Sequence, residues 1–360
     1  MGNTEGKTLR KLLEDELGRT KVAQQYDDIA KILEDEKECQ SVINKILHEN
    51  AYDSSENPKT LGLSQERAKH ILMTYLVGKG FSKFGGLEEK IQKELLLDGA
   101  EFDKIWMPTA LYHDYGYYDD KVKNGKYDLK LFQPYLLEEK EIEDLQILKE
   151  RVMAYTLEEI QAYERYARTY HAQKGKEKQD EMIDHGIFGG VKVYAKLKGK
   201  YGNTKRLKSI CLTIAQHNIF RSGDSRTDEK YEEAGLQKLC STSDFRIDEK
   251  TPLLLFLCLV DTLECAKKLG KKRNPGAYLE MRTILNHIKV SVTPDVLEVD
   301  CLELKKWIDK KNNNNDLKEA YGSYIKGIEG IGEWTAFECM NIGQDVFAIK
   351  MRQNESSKAA

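Results

Sequence analysis

TPLLLFLCLVDTLECAKKLG, from Thr251 to Gly270, carries helix signals at both ends. Thr251 and Pro252 form an N-cap and first-turn pair, and Gly270 stops the run. The stretch between them is so rich in leucine that the helix belongs in a core. Asp261 interrupts it. A buried carboxylate without a partner costs on the order of several kcal/mol, so Asp261 requires a cation or a metal ion beside it.

Outward from this segment the same periodicity governs most of the 360 residues. Apolar side chains recur at three and four positions, and alternating β-branched runs bounded by turns are scarce. The expected fold class is all-α, a helical bundle. Lys7 to Glu49 reads as two charged amphipathic helices, closed off by the loop AYDSSENPKTLG around Pro58. Ser64 caps the next helix, with an apolar stripe of Ala68, Ile71, Leu72, Tyr75 and Leu76 and His70 beside that stripe. Another helix is expected to start near Pro108 and to run through LYHD to Gly116. Asn124 to Asp180 reads as a charged helical insertion. Helical pattern resumes at Asp184 and at Ser209 to Phe220, on either side of the turn-rich KGKYGNTK. Beyond Val290, KVSVTPDVLEV reads as a short extended piece and KNNNND as a polar loop. The division expected is an N-terminal helical extension over 1–60, a core over 61–290 that includes the insertion 124–180, and a C-terminal elaboration and tail over 291–360.

Lysine and arginine number 57 against 60 aspartates and glutamates, a net charge of −3, which argues against a surface coated for duplex nucleic acid. The longest apolar run, Leu253 to Val260, is far short of the ~20 residues that span a bilayer, and MGNTEGKTLRKLL has no signal-peptide core. No membrane association and a cytoplasmic location are therefore expected. The seven cysteines include no C-x-x-C pair, which argues against a disulfide framework or a cysteine-rich zinc site.

Five stretches present a metal-capable side chain in helical context. His113 and Asp114 lie adjacent in WMPTALYHDYGYY, His185 opens DHGIFGG, His217 ends SICLTIAQHNIF, Asp261 interrupts the leucine run, and His70 lies on a fifth helix. Imidazoles and carboxylates together suit first-row transition metals, and six ligands exceed what one tetrahedral ion uses. His48, His171 and His287 read as ordinary surface or core residues.

The ordered set His70, His113-Asp114, His185, His217 and Asp261 resembles the two-metal branch of the HD-domain superfamily of helical metal-dependent phosphohydrolases, over roughly Ser64 to Leu269. The resemblance implies that His70, His113, Asp114 and Asp261 hold one ion, that His185 and His217 hold a second, and that Asp114 bridges them. Two divalent transition metals are implied, manganese, iron, nickel or cobalt ahead of zinc. The activity implied is hydrolysis of a small phosphate ester or phosphodiester, such as a nucleotide, by a metal-bridging hydroxide. Tyr117 stands where some cyclic-dinucleotide members carry a lysine, and their glycine-tyrosine-proline signature is missing.

Around these ligands, Asp184, Arg221 and Lys268 are candidates for orienting a ligand or holding a phosphate oxygen, with Asp114 the central catalytic carboxylate. On continuous helices Arg221 follows His217 by four residues and Lys268 follows Asp261 by seven. Lys192, Lys196, Lys198, Lys200, Lys205, Arg206 and Lys208 form a basic stretch without an acidic residue, suited to steering an anion. The same ligand order also looks like that of the HD-fold mixed-valence di-iron oxygenases. A third class, a non-catalytic nucleic-acid or nucleotide binding module, comes from IEGIGEWTAFEC. There Gly330, Ile331, Gly332, Thr335 and Ala336 resemble the hairpin of helix-hairpin-helix proteins.

Overall fold

In α4 (Gln65–Phe81) every residue from Ala68 to Val77 is buried, so the helix is wrapped on all sides and His70 lies in the core rather than beside an apolar stripe. The computed structural model describes residues 6–20, 28–49, 65–97, 101–118, 185–201, 205–217, 247, 251–270, 280–311 and 315–352. The loop around Pro58, Ser64 and the insertion 124–180 lie outside them. Before α4 come β1 (Lys7–Thr8), α1 (Leu9–Gly18), α2 (Ile29–Glu34) and α3 (Glu36–Glu49), three helices where periodicity suggested two. The extra boundary is written in aspartates. Asp28 Oδ1 accepts the Ala30 N–H at 3.0 Å, and Asp35 Oδ1 accepts those of Lys37 and Glu38 at 2.8 and 3.1 Å, so each caps a helix start.

After α4, α5 (Leu87–Leu95) leads to α6 (Phe102–Tyr112), which begins six residues before Pro108 rather than at it. Pro108 thus sits inside the helix, where it cannot donate to the carbonyl of Lys104. The hydroxyl of Tyr201, at the end of α7 (His185–Tyr201), donates to that carbonyl at 2.9 Å and satisfies it. α6 lies close against α4 because Gly78 has no side chain: a Cβ there would fall 2.0 Å from the ring of Trp106. Trp106 in turn donates its indole N–H to the Tyr75 carbonyl at 3.0 Å.

α7 and α8 (Lys205–Gln216) form an antiparallel hairpin that returns the chain to α6. The leucine-rich stretch is α9 (Pro252–Leu263), starting at Pro252 as its sequence indicates, but it breaks at Glu264 and Cys265 before the single turn α10 (Ala266–Leu269) ends at Gly270. Phe256 of α9 packs on Trp106 with ring centroids 4.7 Å apart, closing the core between α4, α6 and α9.

The all-α expectation needs correcting. The chain is mostly helical, and a five-stranded antiparallel sheet accompanies the helices in the order β1-β2-β3-β5-β4. α11 (Met281–His287) leads into β2 (Lys289–Val292) and β3 (Leu297–Asp300), the extended piece legible in KVSVTPDVLEV. α12 (Leu302–Lys310), α13 (Asn315–Glu329) and the one-turn α14 (Ile331–Trp334) precede β4 (Phe337–Gly343) and β5 (Val346–Met351). β1 pairs with β2 through Lys7↔Val290, which ties the N-terminal helices to the C-terminal strands. One continuous apolar cluster runs from Leu9 through α4 and α9 to Ile349.

IEGIGEWTAFEC does not form a helix-hairpin-helix. After α14 the chain passes into β4, and the N–H groups of Gly330, Glu333, Thr335 and Ala336 donate to the carbonyls of Lys326, Gly330, Ile331 and Ile247. Backbone donors used in this way are not presented to a nucleic-acid phosphate.

Candidate metal centre

His113 and His217 each follow directly on the last residue of a helix, where carbonyls lack intrahelical partners. His113 Nδ1–H donates to the Ala110 carbonyl at 2.7 Å and His217 Nδ1–H to the Ile214 carbonyl at 2.6 Å. The same local geometry therefore arises twice, and both rings turn Nε2 toward Asp114. His70, in the interior of α4, has a carboxylate in the equivalent place: its Nδ1 lies 2.6 Å from Glu264 Oε2.

The opposite nitrogens converge. His70 Nε2 lies 3.0 Å from His113 Nε2, 2.9 Å from Asp261 Oδ1 and 3.5 Å from Asp114 Oδ2. His113 Nε2 lies 3.6 Å from Asp114 Oδ1 and 3.7 Å from Asp261 Oδ1, and His217 Nε2 lies 3.8 Å from Asp114 Oδ1. Ligand atoms of the buried residues His70, His113 and Asp114 all fall within 4.8 Å of one another, a group that could hold a metal ion. Donor atoms grouped this closely, with the second nitrogen of each imidazole engaged elsewhere, are what a metal site requires.

His70, His113 and Asp114 are fully buried, whereas the Asp261 side chain keeps 21% of its exposure and marks the side of the cluster open to solvent. Burial, foremost, holds the His113 imidazole below its ordinary pKa. For His70, burial and Lys267 push downward, and Asp261 and Glu264 outweigh them, raising the pKa to about 9. For Asp261 burial pushes upward, but Lys267, His113 and His70 overcome it and hold the carboxyl well below the usual range. The space among these groups thus favours a cation, whether a proton on His70 or a metal ion.

The other expected site residues divide. His185 begins α7, and Gly189, one turn on, lies against the turn that carries the ligand pair, since a Cβ on it would be 3.3 Å from the Gly116 nitrogen and 3.6 Å from the His113 carbonyl. The His185 side chain, Asp184 and Arg221 lie outside the described residues. Lys268 Nζ lies 3.4 Å from the Ser323 carbonyl on α13, while the Asp261 and Glu264 carboxylates act on it electrostatically. Its neighbour Lys267 is the lysine that reaches Asp261, at 3.7 Å. The seven-residue spacing misled because it assumed a continuous helix, and the break at Glu264 shifts the register.

Sequence reading also missed two groups. Arg67, one turn before His70, pairs with Asp114 Oδ2 at 2.7 Å and is 25% exposed. Glu264 supports His70. Both lie one helical turn from a ligand, His70 and Asp261 respectively, which is the signal that would have found them.

The basic stretch is placed differently from its sequence neighbours. α7 runs away from His185 and α8 runs back to His217, so Lys198 and Lys205 sit about 20 Å along the helices from those ends, at ~1.5 Å per residue. Arg206 is paired there with Glu101 at 2.8 Å, and Lys205 donates to the Glu94 carbonyl. At that range, beyond a Debye length of ~8 Å, the influence of these far-end charges on the cluster is largely screened; Lys192, seven residues from His185, lies about half as far along α7.

Among the described residues no helix is long and apolar enough to cross a membrane. Compared with known proteins, the chain matches no family model, and no curated protein and no solved structure matches it.

Proposed function

We propose that this chain is a metal-dependent phosphohydrolase of HD-domain type, acting on a nucleotide or another small phosphate ester. The observation that carries the reading is the convergence of the His70 and His113 Nε2 atoms with the Asp114 and Asp261 carboxylates, while the Nδ1 of each ring is held by Glu264 or a backbone carbonyl. This donor set fits a first-row divalent ion, manganese, iron, cobalt or nickel, with His70, His113, Asp114 and Asp261 as its ligands. His217, beside Asp114, supports a second ion, as the ordered ligand series does. Such a metal, when bound, supplies an activated water and stabilises charge on phosphoryl oxygens.

The chain's own residues supply the rest. Glu264 and the Ala110 and Ile214 carbonyls keep the imidazoles oriented. Among the described residues, the apolar packing of α4, α6 and α9 buries His70, His113 and Asp114, while Asp261 keeps part of its exposure. Arg67 and Lys267, both partly exposed and each in contact with a ligand carboxylate, are the cations positioned to bind an anionic group entering there. They lie beside the cluster, closer than Lys198 and Lys205, and give local support for a phosphate-bearing substrate.

The test is a panel of nucleoside mono-, di- and triphosphates, cyclic nucleotides and simple phosphodiesters, assayed with each metal under aerobic and anaerobic conditions. Hydrolysis that requires metal and is abolished in Asp114→Ala supports the proposal. A metal-loaded protein that hydrolyses none of the panel, yet consumes dioxygen with an organic substrate, overturns it.

A further inference from the structure

We propose that Glu264 is a positioning residue of the metal centre, holding the proton of His70 on Nδ1 and directing Nε2 at His113, Asp114 and Asp261. The inference rests on the metal reading above and extends it to a residue outside the six expected ligands. Glu264 is 1% exposed, in the break between α9 and α10. Its carboxylate receives the His70 Nδ1–H at 2.6 Å, the Lys267 backbone N–H at 3.1 Å and the Ala266 backbone N–H. Donors from two directions leave the carboxylate no freedom to turn.

The need for it follows from where His70 sits. His113 and His217 lie at helix ends and find backbone carbonyls for Nδ1, but in the interior of α4 the backbone acceptors are committed to the helix. A side chain from another element must take the proton. Asp261 and Glu264, one helical turn apart, bracket the ring: Asp261 Oδ1 lies 2.9 Å from Nε2 and Glu264 Oε2 lies 2.6 Å from Nδ1. An anionic acceptor at Nδ1 makes the imidazole a stronger donor at Nε2 than a carbonyl does, so Glu264 both orients His70 and strengthens its bond to a metal.

Oε1 accepts the Ala266 N–H, and Oε2 accepts both the Lys267 N–H and the His70 Nδ1–H, so the single oxygen of a glutamine keeps only part of these bonds. In Glu264→Gln the anionic acceptor at Nδ1 is lost, and with the amide oxygen on the Ala266 N–H the N–H₂ faces Nδ1 and favours a proton on Nε2, the wrong atom. The experiment titrates the full-length wild type and E264Q with Co²⁺ against a chromophoric chelator, and records the exchangeable imidazole N–H signals of the Co²⁺-loaded proteins by NMR. E264Q is expected to bind Co²⁺ roughly 10- to 100-fold more weakly and to lose one shifted N–H signal. E264Q with unaltered affinity and all signals retained overturns the role of Glu264 and leaves the metal site standing. A wild type that binds no Co²⁺ overturns the metal reading itself, and Glu264's role with it. Should E264Q fail to fold, histidine ¹⁵N spectra of the Zn²⁺-loaded wild type decide: His70 protonated at Nδ1 supports the proposal, and at Nε2 overturns it.

Discussion

His70 Nε2 and His113 Nε2 face each other across 3.0 Å, although they come from different helices and each ring has its Nδ1 engaged. With each Nδ1 engaged, the two Nε2 atoms need a cation between them, either a proton on His70 or a metal ion in its place, and the neighbouring Asp114 and Asp261 carboxylates add to the demand. Added Mn²⁺, Fe²⁺, Co²⁺ or Ni²⁺ should therefore raise the melting temperature, and a chelator should reverse the rise. A ligand at about 100 times its Kd contributes ~2.7 kcal/mol, which differential scanning fluorimetry reads easily. A metal-insensitive transition in protein purified without chelator would contradict the site.

Among the described residues Asp114 is the carboxylate paired with all three histidines, at 3.5 to 3.8 Å, and it also pairs with Arg67. Asp114→Ala is expected to lower metal occupancy by at least tenfold and to abolish turnover while leaving the far-ultraviolet circular dichroism unchanged. His217→Ala, which removes the ring beside Asp114 Oδ1 and edge-on to His113, should lower metal stoichiometry without emptying the site. Elemental analysis of the two variants side by side checks both outcomes.

What the sequence disclosed about this cluster, it disclosed through cost. A histidine, aspartate or His-Asp pair inside an apolar helical run demands an explanation, and His70, His113, Asp114, His217 and Asp261 all come together. Glu264 had only its place one turn after Asp261 to mark it, because LECAKKL has neither glycine nor proline to announce the break that aims its carboxylate at His70. The sheet was equally hard to see. β1 is two residues long, FECMNIG in β4 mixes polar and apolar positions without alternation, and VFAIKM in β5 is a short run that fits helix or strand. Pro108 looked like a helix start since proline favours the first turn, and only the Tyr201 hydroxyl explains how α6 accommodates it.

That last contact is testable as a coupled pair. Tyr201→Phe removes the donor to the Lys104 carbonyl and should cost about 0.5–1 kcal/mol in urea denaturation. In a Pro108→Ala background the restored backbone N–H can serve the same carbonyl, so Tyr201→Phe should become nearly neutral there. Additive effects across the double-mutant cycle would show that the two groups do not share the acceptor.

Asp28 joins three elements: it caps α2, and it pairs with Arg10 of α1 at 3.3 Å and Arg282 of α11 at 2.6 Å. Burial pushes its carboxyl upward, but Arg282, the Ala30 N–H and Arg10 outweigh it, so the pKa lies below the ordinary carboxylate value. A carboxylate with a lowered pKa in the folded state contributes stability above its unfolded pKa of ~3.9, and that contribution fades as pH falls through the folded value. Asp28→Ala should cost about 1 kcal/mol at pH 7, and its difference from wild type should shrink below pH 4. A difference that stays constant from pH 7 to pH 3 would mean that the charge of Asp28 contributes nothing.

Lys267 and Lys268 are adjacent but point to different partners, Asp261 for the first and the Ser323 carbonyl for the second, which makes them a matched pair for testing substrate charge. Lys267 is 35% exposed on the side of the cluster where Asp261 meets solvent. Lys268 is partly buried, and burial, foremost, lowers its pKa. If the substrate is anionic, Lys267→Gln removes a cation from its path and should raise KM roughly three- to tenfold, with a smaller change in kcat. Lys268→Gln should leave KM near wild type and act instead on stability, through its contact with α13. Raising ionic strength should narrow the KM gap between wild type and Lys267→Gln, since Lys267 is partly exposed and its attraction is screened. A neutral substrate would give equal KM values for both variants at every salt concentration, and that result would remove the phosphate assignment while leaving the metal ligands in place.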